Sequence, residues 1–89
     1  MTILNFSSDE TKKLLAWQKA EPILPFDPNN IRKDRFGAII VRDDYGKTTE
    51  FGWEIDHVQP LSLGGLLAPS NEIATHWKNS RSKSNNFIG

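Results

Sequence analysis

Phe51-Gly52-Trp53-Glu54-Ile55-Asp56-His57 is the stretch on which the reading of this chain turns. Aromatic and branched residues at 51, 53 and 55 mark a strand. Side chains alternate along a strand, so Trp53 and Ile55 share one face while Glu54 and Asp56 share the other. Asp56 therefore emerges opposite the packed face, at the strand's end, with His57 beside it. Upstream, Gly37-Ala38-Ile39-Ile40-Val41 is a second β-rich run, and Asp43-Asp44-Tyr45-Gly46 supplies turn chemistry between the two. The simplest expectation is a hairpin of 37–41 with 51–55.

Working outward, residues 59–71 read as a long loop of turn formers built on Pro60, Gly64 and Gly65. Its Leu61, Leu63, Leu66 and Leu67 are expected to fold back on the core. Ile73-Ala74-Thr75 reads as a short third strand and His76–Asn85 as a short helix, with Thr75 or Ser80 as its cap. At the other end, Ser7-Ser8-Asp9-Glu10 predicts a helix start, a hydroxyl cap followed by acids in the first turn. Leu14, Leu15 and Trp17, with Ala20, are its apolar face, and Pro22 is expected to end it. Residues 21–31 hold three prolines and two adjacent asparagines, and read as irregular. Trp17, Trp53 and Trp77 are expected in the core rather than as base-stacking platforms.

Composition narrows the function. The 89 residues suffice for one small domain, with a core modest enough for a metal or partner contact to matter. The absence of cysteine excludes disulfides and thiolate zinc clusters. Met1–Asn5 lacks the charged and apolar regions of a signal peptide, and no apolar run approaches the ~18 residues that span a bilayer. A cytoplasmic protein without a membrane partner is the expectation. The 11 basic and 11 acidic residues cancel, which counts mildly against nucleic acid. Their distribution softens that objection. No acid follows Glu72, while Lys78, Arg81 and Lys83 do, and Arg32, Lys33 and Arg35 form a second basic cluster broken by Asp34. Local patches bind phosphates even when the total balances.

Glu54-Ile55-Asp56-His57-Val58, Pro60-Leu61-Ser62, Gly64-Gly65, Asn71 and Arg81-Ser82-Lys83-Ser84-Asn85, in that order, resemble the HNH endonuclease family. His57 and Asn71 lie fourteen positions apart, a spacing that family uses. The strong part of the resemblance covers about 52–86. Trp17-Gln18-Lys19-Ala20, Arg32-Lys33-Asp34 with Gly37-Ala38, and Tyr45-Gly46 are more loosely similar to a small bacterial and phage subgroup.

The resemblance implies an α+β domain over residues 1–89, a ββα-metal fold with an N-terminal helix, a β-hairpin and a C-terminal helix. It implies one divalent ion, Mg²⁺ or Mn²⁺, and DNA as substrate, cut to 5′-phosphate and 3′-hydroxyl ends. Asp56 would be a metal ligand, His57 the general base, and Asn71 the residue that orients the imidazole. The last ligand would come from the helix, near Asn79 or Ser80. Arg81 and Lys83, with Lys78 nearby, would hold flanking phosphates.

Family members commonly carry His or Asn nine residues after the central Asn, whereas position 80 here is Ser. Asn79 precedes it by one residue, about 100° around a helix. Either Asn79 takes the ligand role, or Ser80 binds weakly or through water, or the metal site is degenerate. The family's zinc-binding cysteine pairs are absent, and His76, where one such cysteine often sits, lacks partner ligands; no structural zinc is expected. In the degenerate case the scaffold would serve as a nucleic-acid-binding or protein-interaction module. Oligomeric state, sequence preference and any protein partner are not legible.

Overall fold

The computed structural model describes the backbone of residues 8–88 and the side chains of residues 9–82. In chain order it contains α1 (Ser8–Gln18), β1 (Glu21–Pro22), β2 (Ile31–Lys33), β3 (Ile39–Val41), β4 (Trp53–His57), β5 (Glu72–His76) and α2 (Trp77–Ile88). Single 3₁₀ turns lie at Arg42–Asp44, Leu61–Leu63 and Pro69–Asn71. Two antiparallel sheets result, β1-β2-β3 and β4-β5, and the class is α+β. Among the described residues no helix is long and apolar enough to cross a membrane.

The chain is helical from Ser8, the first described residue, and Asp9 and Glu10 lie in α1 as expected. The cap expected at Ser7 lies outside the described residues. α1 stops at Gln18, four residues before Pro22. Arg32 ends it instead, its Nη1 donating to the carbonyls of Gln18 (3.1 Å) and Ala20 (2.9 Å). Those carbonyls have no partner within the helix, and a guanidinium supplies both bonds and charge at its negative end.

The expected hairpin of 37–41 with 51–55 does not form. β3 pairs with β2, Arg32 opposite Ile40, and β4 pairs with β5, Ile55 opposite Ala74. The shorter turn wins. Asp34-Arg35-Phe36-Gly37 closes β2 onto β3, with Gly37 at φ 91°, where only glycine sits without strain. Of the expected pairing one bond survives, from Val41 N–H to the Phe51 carbonyl at 3.0 Å. β5 and α2 lie where the sequence places them, each extending slightly further.

The core is small. Trp17 and Trp53 meet at 5.3 Å between centroids and cluster with Ala20, Ile40 and Ala74, with Ile55 packed against them; Ala16 is also buried. Trp77 is only partly buried, its Nε1 donating to the Thr49 carbonyl at 2.7 Å. The leucines of the long loop do not join the core: Leu66 is 66% and Leu67 77% exposed, and Leu61 and Leu63 also face outward. That loop is held by polar bonds, described next, so its order does not require its leucines to be buried.

Candidate functional site

Alternation along β4 aims Asp56 and His57 to opposite faces of the β4–β5 sheet. On one face, Glu54 lies 3.3 Å from Arg81 of α2, and Asp56 Oδ2 lies 3.7 Å from Arg35 Nη2, with the Asp56 side chain 13% exposed. On the other, His57 follows Trp53 and Ile55 toward α1. Its Nε2 is 3.8 Å from Oε2 of Glu72, its cross-strand partner. The same Glu72 oxygen is 3.6 Å from Lys12 Nζ, and the carboxylate is almost wholly buried. His57 and Glu72 line a cavity of about 220 Å³ together with Asp9, Lys12, Tyr45 and Leu67. Lys19 ties α1 to the same region, donating to the carbonyls of Pro69 and Glu72. A further α1 cation, Lys13, reaches over the Tyr45 ring, and its hydrogen bond to Glu10 raises its pKa above the ordinary lysine value.

Asn71 is buried and acts on backbone. Its Oδ1 accepts from Gln59 N–H (2.7 Å), and its Nδ2 donates to the carbonyls of Gln59 (2.9 Å) and Leu66 (2.9 Å). Both N–H bonds of the amide thus go to the loop, and Asn71 fixes the chain two residues beyond His57; the side-chain bonds it makes here are to loop backbone, where the resemblance predicts one to the imidazole. Gly65 allows the closure. A Cβ there would stand 1.9 Å from the Gln59 carbonyl oxygen and 2.9 Å from Asn71 Nδ2. Asn71→Ala is expected to cost about 2–3 kcal/mol in urea denaturation, three bonds being lost and loop groups left partly unsatisfied. A loss under about 0.5 kcal/mol would show that the loop is held otherwise.

Asp34 is the organising residue that the sequence does not announce, since it reads as a break in a basic cluster. It is 2% exposed. Oδ1 accepts from the N–H groups of Phe36 and Ala38, and Oδ2 from His76 N–H (3.0 Å) and Asn79 Nδ2 (2.9 Å). One carboxylate therefore shapes the β2–β3 turn and fastens it to the start of α2. The only available signal was the Asp-x-x-Gly spacing of a turn. His76 completes the junction, its Nδ1 accepting from Lys78 N–H (3.1 Å) and its Nε2 donating to the Glu50 carbonyl (2.7 Å).

With its nitrogen fixed on Asp34, Asn79 keeps its carbonyl oxygen as the atom that can ligate. Ser80 is buried, 7% exposed. Lys78 and Arg81 are exposed on the first turns of α2, both near the Trp77 ring. The Lys83 side chain lies outside the described residues. Among the described residues no three His, Asp or Glu side chains are grouped to hold a metal ion. Adjacent residues of one turn thus contact two of the three expected ligand residues, Asp56, Asn79 and Ser80: Arg35 lies beside the Asp56 carboxylate, and Asp34 accepts from Asn79 Nδ2. No family model, curated protein or solved structure matches this chain.

Proposed function

We propose that this protein is a metal-dependent, HNH-like endonuclease of bacterial or phage origin that hydrolyses DNA phosphodiesters in the cytoplasm. The observation that carries the reading is the common turn beneath Asp56 and Asn79, at the junction of β4, β5 and α2. The order strand, clamped loop, strand, helix agrees with it, as does the Asp-His pair at the end of the first strand.

In donor chemistry, the residues that would hold the ion suit a hard divalent cation: a carboxylate oxygen from Asp56 and an amide oxygen from Asn79. Mg²⁺ keeps several waters and is held by one or two carboxylates plus substrate phosphate, so water and phosphate would complete the shell around these two ligands. When bound, the ion stabilises charge developing on phosphate and leaving oxygen. The remaining work falls to the chain. His57, the last residue of β4, takes a proton from water as the water oxygen attacks phosphorus. The P–O3′ bond breaks, its electron pair stays on O3′, and solvent protonates that oxygen. Glu72 faces the imidazole and stabilises the positive charge it acquires, as carboxylates behind catalytic imidazoles do. Asp56 and His57 leave the strand on opposite faces, but their Cα atoms are only about 3.8 Å apart, so both flank the same strand end. Arg81 and Lys78, with Lys83, hold flanking phosphates through charge.

Asp56→Ala is expected to weaken Mn²⁺ binding about tenfold or more in calorimetry, since the one anionic ligand is lost. An unchanged affinity removes Asp56 from the site.

A second reading, DNA or protein binding without cleavage, is favoured by buried Ser80 in place of a stronger ligand and by the divergence of Asp56 and His57. Binding that is unchanged by EDTA, together with intact plasmid in Mn²⁺, identifies it.

A further inference from the structure

Arg35 already supplies a positive charge to the acid that would ligate the metal. We infer that Arg35 is the resident counter-cation of Asp56, that a divalent ion displaces it, and that the released guanidinium then takes a phosphate of the DNA. The inference rests on the proposed function and adds a residue that couples metal binding to substrate binding.

The guanidinium approaches Asp56 Oδ2 to 3.7 Å, with the Arg35 side chain 29% exposed. The backbone beneath it is fixed, because the preceding residue is Asp34, whose carboxylate is saturated by hydrogen bonds to the turn and to α2. Movement of the charge is thus left to the side-chain torsions. The side chain reaches Asp56 from the protein surface. The guanidinium carbon lies 4.9 Å from the centroid of the Phe36 ring, which is 55% exposed, so the side chain rests on a surface continuous with solvent. A guanidinium and a divalent ion repel each other across a single carboxylate, so entry of one lowers the affinity for the other. Its planar fork of donors suits phosphate geometry, which makes substrate the natural destination of the released side chain. Linkage then requires that bound metal favour DNA, and bound DNA favour metal.

The test uses Mn²⁺ alone and then a DNA duplex. Calorimetry with Mn²⁺ is run on the wild type, Arg35→Met and Arg35→Lys. Duplex affinity in Mn²⁺ is measured by fluorescence anisotropy for the same Arg35 substitutions in a His57→Ala background, which prevents cutting. Arg35→Met is expected to bind Mn²⁺ about threefold to fivefold tighter, the range set by a partly exposed ion pair, and to bind duplex several-fold more weakly. Arg35→Lys is expected to keep near-wild-type Mn²⁺ affinity, because the charge remains, and still to lose duplex affinity, because the fork does not. Equal or weaker Mn²⁺ binding by Arg35→Met overturns the competition. Unchanged duplex affinity in both variants overturns the phosphate role. If neither wild type nor Arg35→Met binds Mn²⁺, the metal reading of Asp56 itself fails and takes this inference with it.

Discussion

Asp34→Ala is expected to destabilise the fold by on the order of 4 kcal/mol, a loss of the size that truncating a buried core side chain brings. The carboxylate accepts four hydrogen bonds from donors in three places: the β2–β3 turn, the β5–α2 junction and the Asn79 side chain. Each donor left buried without a partner costs roughly 1–3 kcal/mol, and water entering the vacated space recovers part of it. A domain of 89 residues has a total stability of roughly 5–10 kcal/mol, so the variant keeps roughly 1–6 kcal/mol and unfolds at a markedly lower urea concentration. Asp34→Asn is expected to cost less. Its amide keeps one acceptor for the turn, and Asn79 can turn its own amide to present an oxygen to the new N–H₂. Urea denaturation followed by circular dichroism measures both. An Asp34→Ala variant within 1 kcal/mol of wild type would mean that the turn and helix are joined by apolar packing rather than by this carboxylate.

His57→Ala is expected to lower DNA cleavage by on the order of 10³-fold while leaving the fold intact. The ring lies at the rim of its cavity, 26% exposed, rather than in the tryptophan core. Its removal therefore opens no void among Trp17, Trp53 and Ile40, and a change in stability below about 1 kcal/mol is expected. A general base contributes about 10²–10⁴ in rate, and the Glu72 carboxylate behind it keeps Lys12 at 3.6 Å when the imidazole is gone. Initial rates on supercoiled plasmid in Mn²⁺, read beside the melting curves, separate the two effects. Equal rates for mutant and wild type would remove His57 from the reaction.

Local patterning made β4, β5 and α2 legible, because Trp53, Ile55, Ile73 and Ala74 are bounded by turn formers that leave few other readings. Partner choice between strands was not legible. Ile31-Arg32-Lys33 carries the charges of a surface segment, and its identity as the middle strand of a sheet depends on Ile40 lying opposite Arg32. The same limitation hid Glu72 from the reading of His57: the two are fifteen positions apart and meet only through the β4–β5 register. Asp34 and Asn71 show why polar residues in turns resist prediction. Each looks like an ordinary turn former, yet one ties a turn to a helix forty-five positions away and the other closes a loop upon itself. That closure also explains the misplaced leucines. Hydrophobicity argues for burying Leu66 and Leu67, but the loop's backbone is satisfied through Asn71, so nothing compels their side chains inward.

The most direct measurement is the fate of supercoiled plasmid incubated with the purified wild-type protein in millimolar Mn²⁺, with a parallel sample in EDTA. Nicked and linear products bearing 5′-phosphate ends, present with Mn²⁺ and absent with EDTA, are the predicted result. Plasmid that stays supercoiled at every Mn²⁺ and Mg²⁺ concentration, with a protein that is folded by circular dichroism, would contradict it.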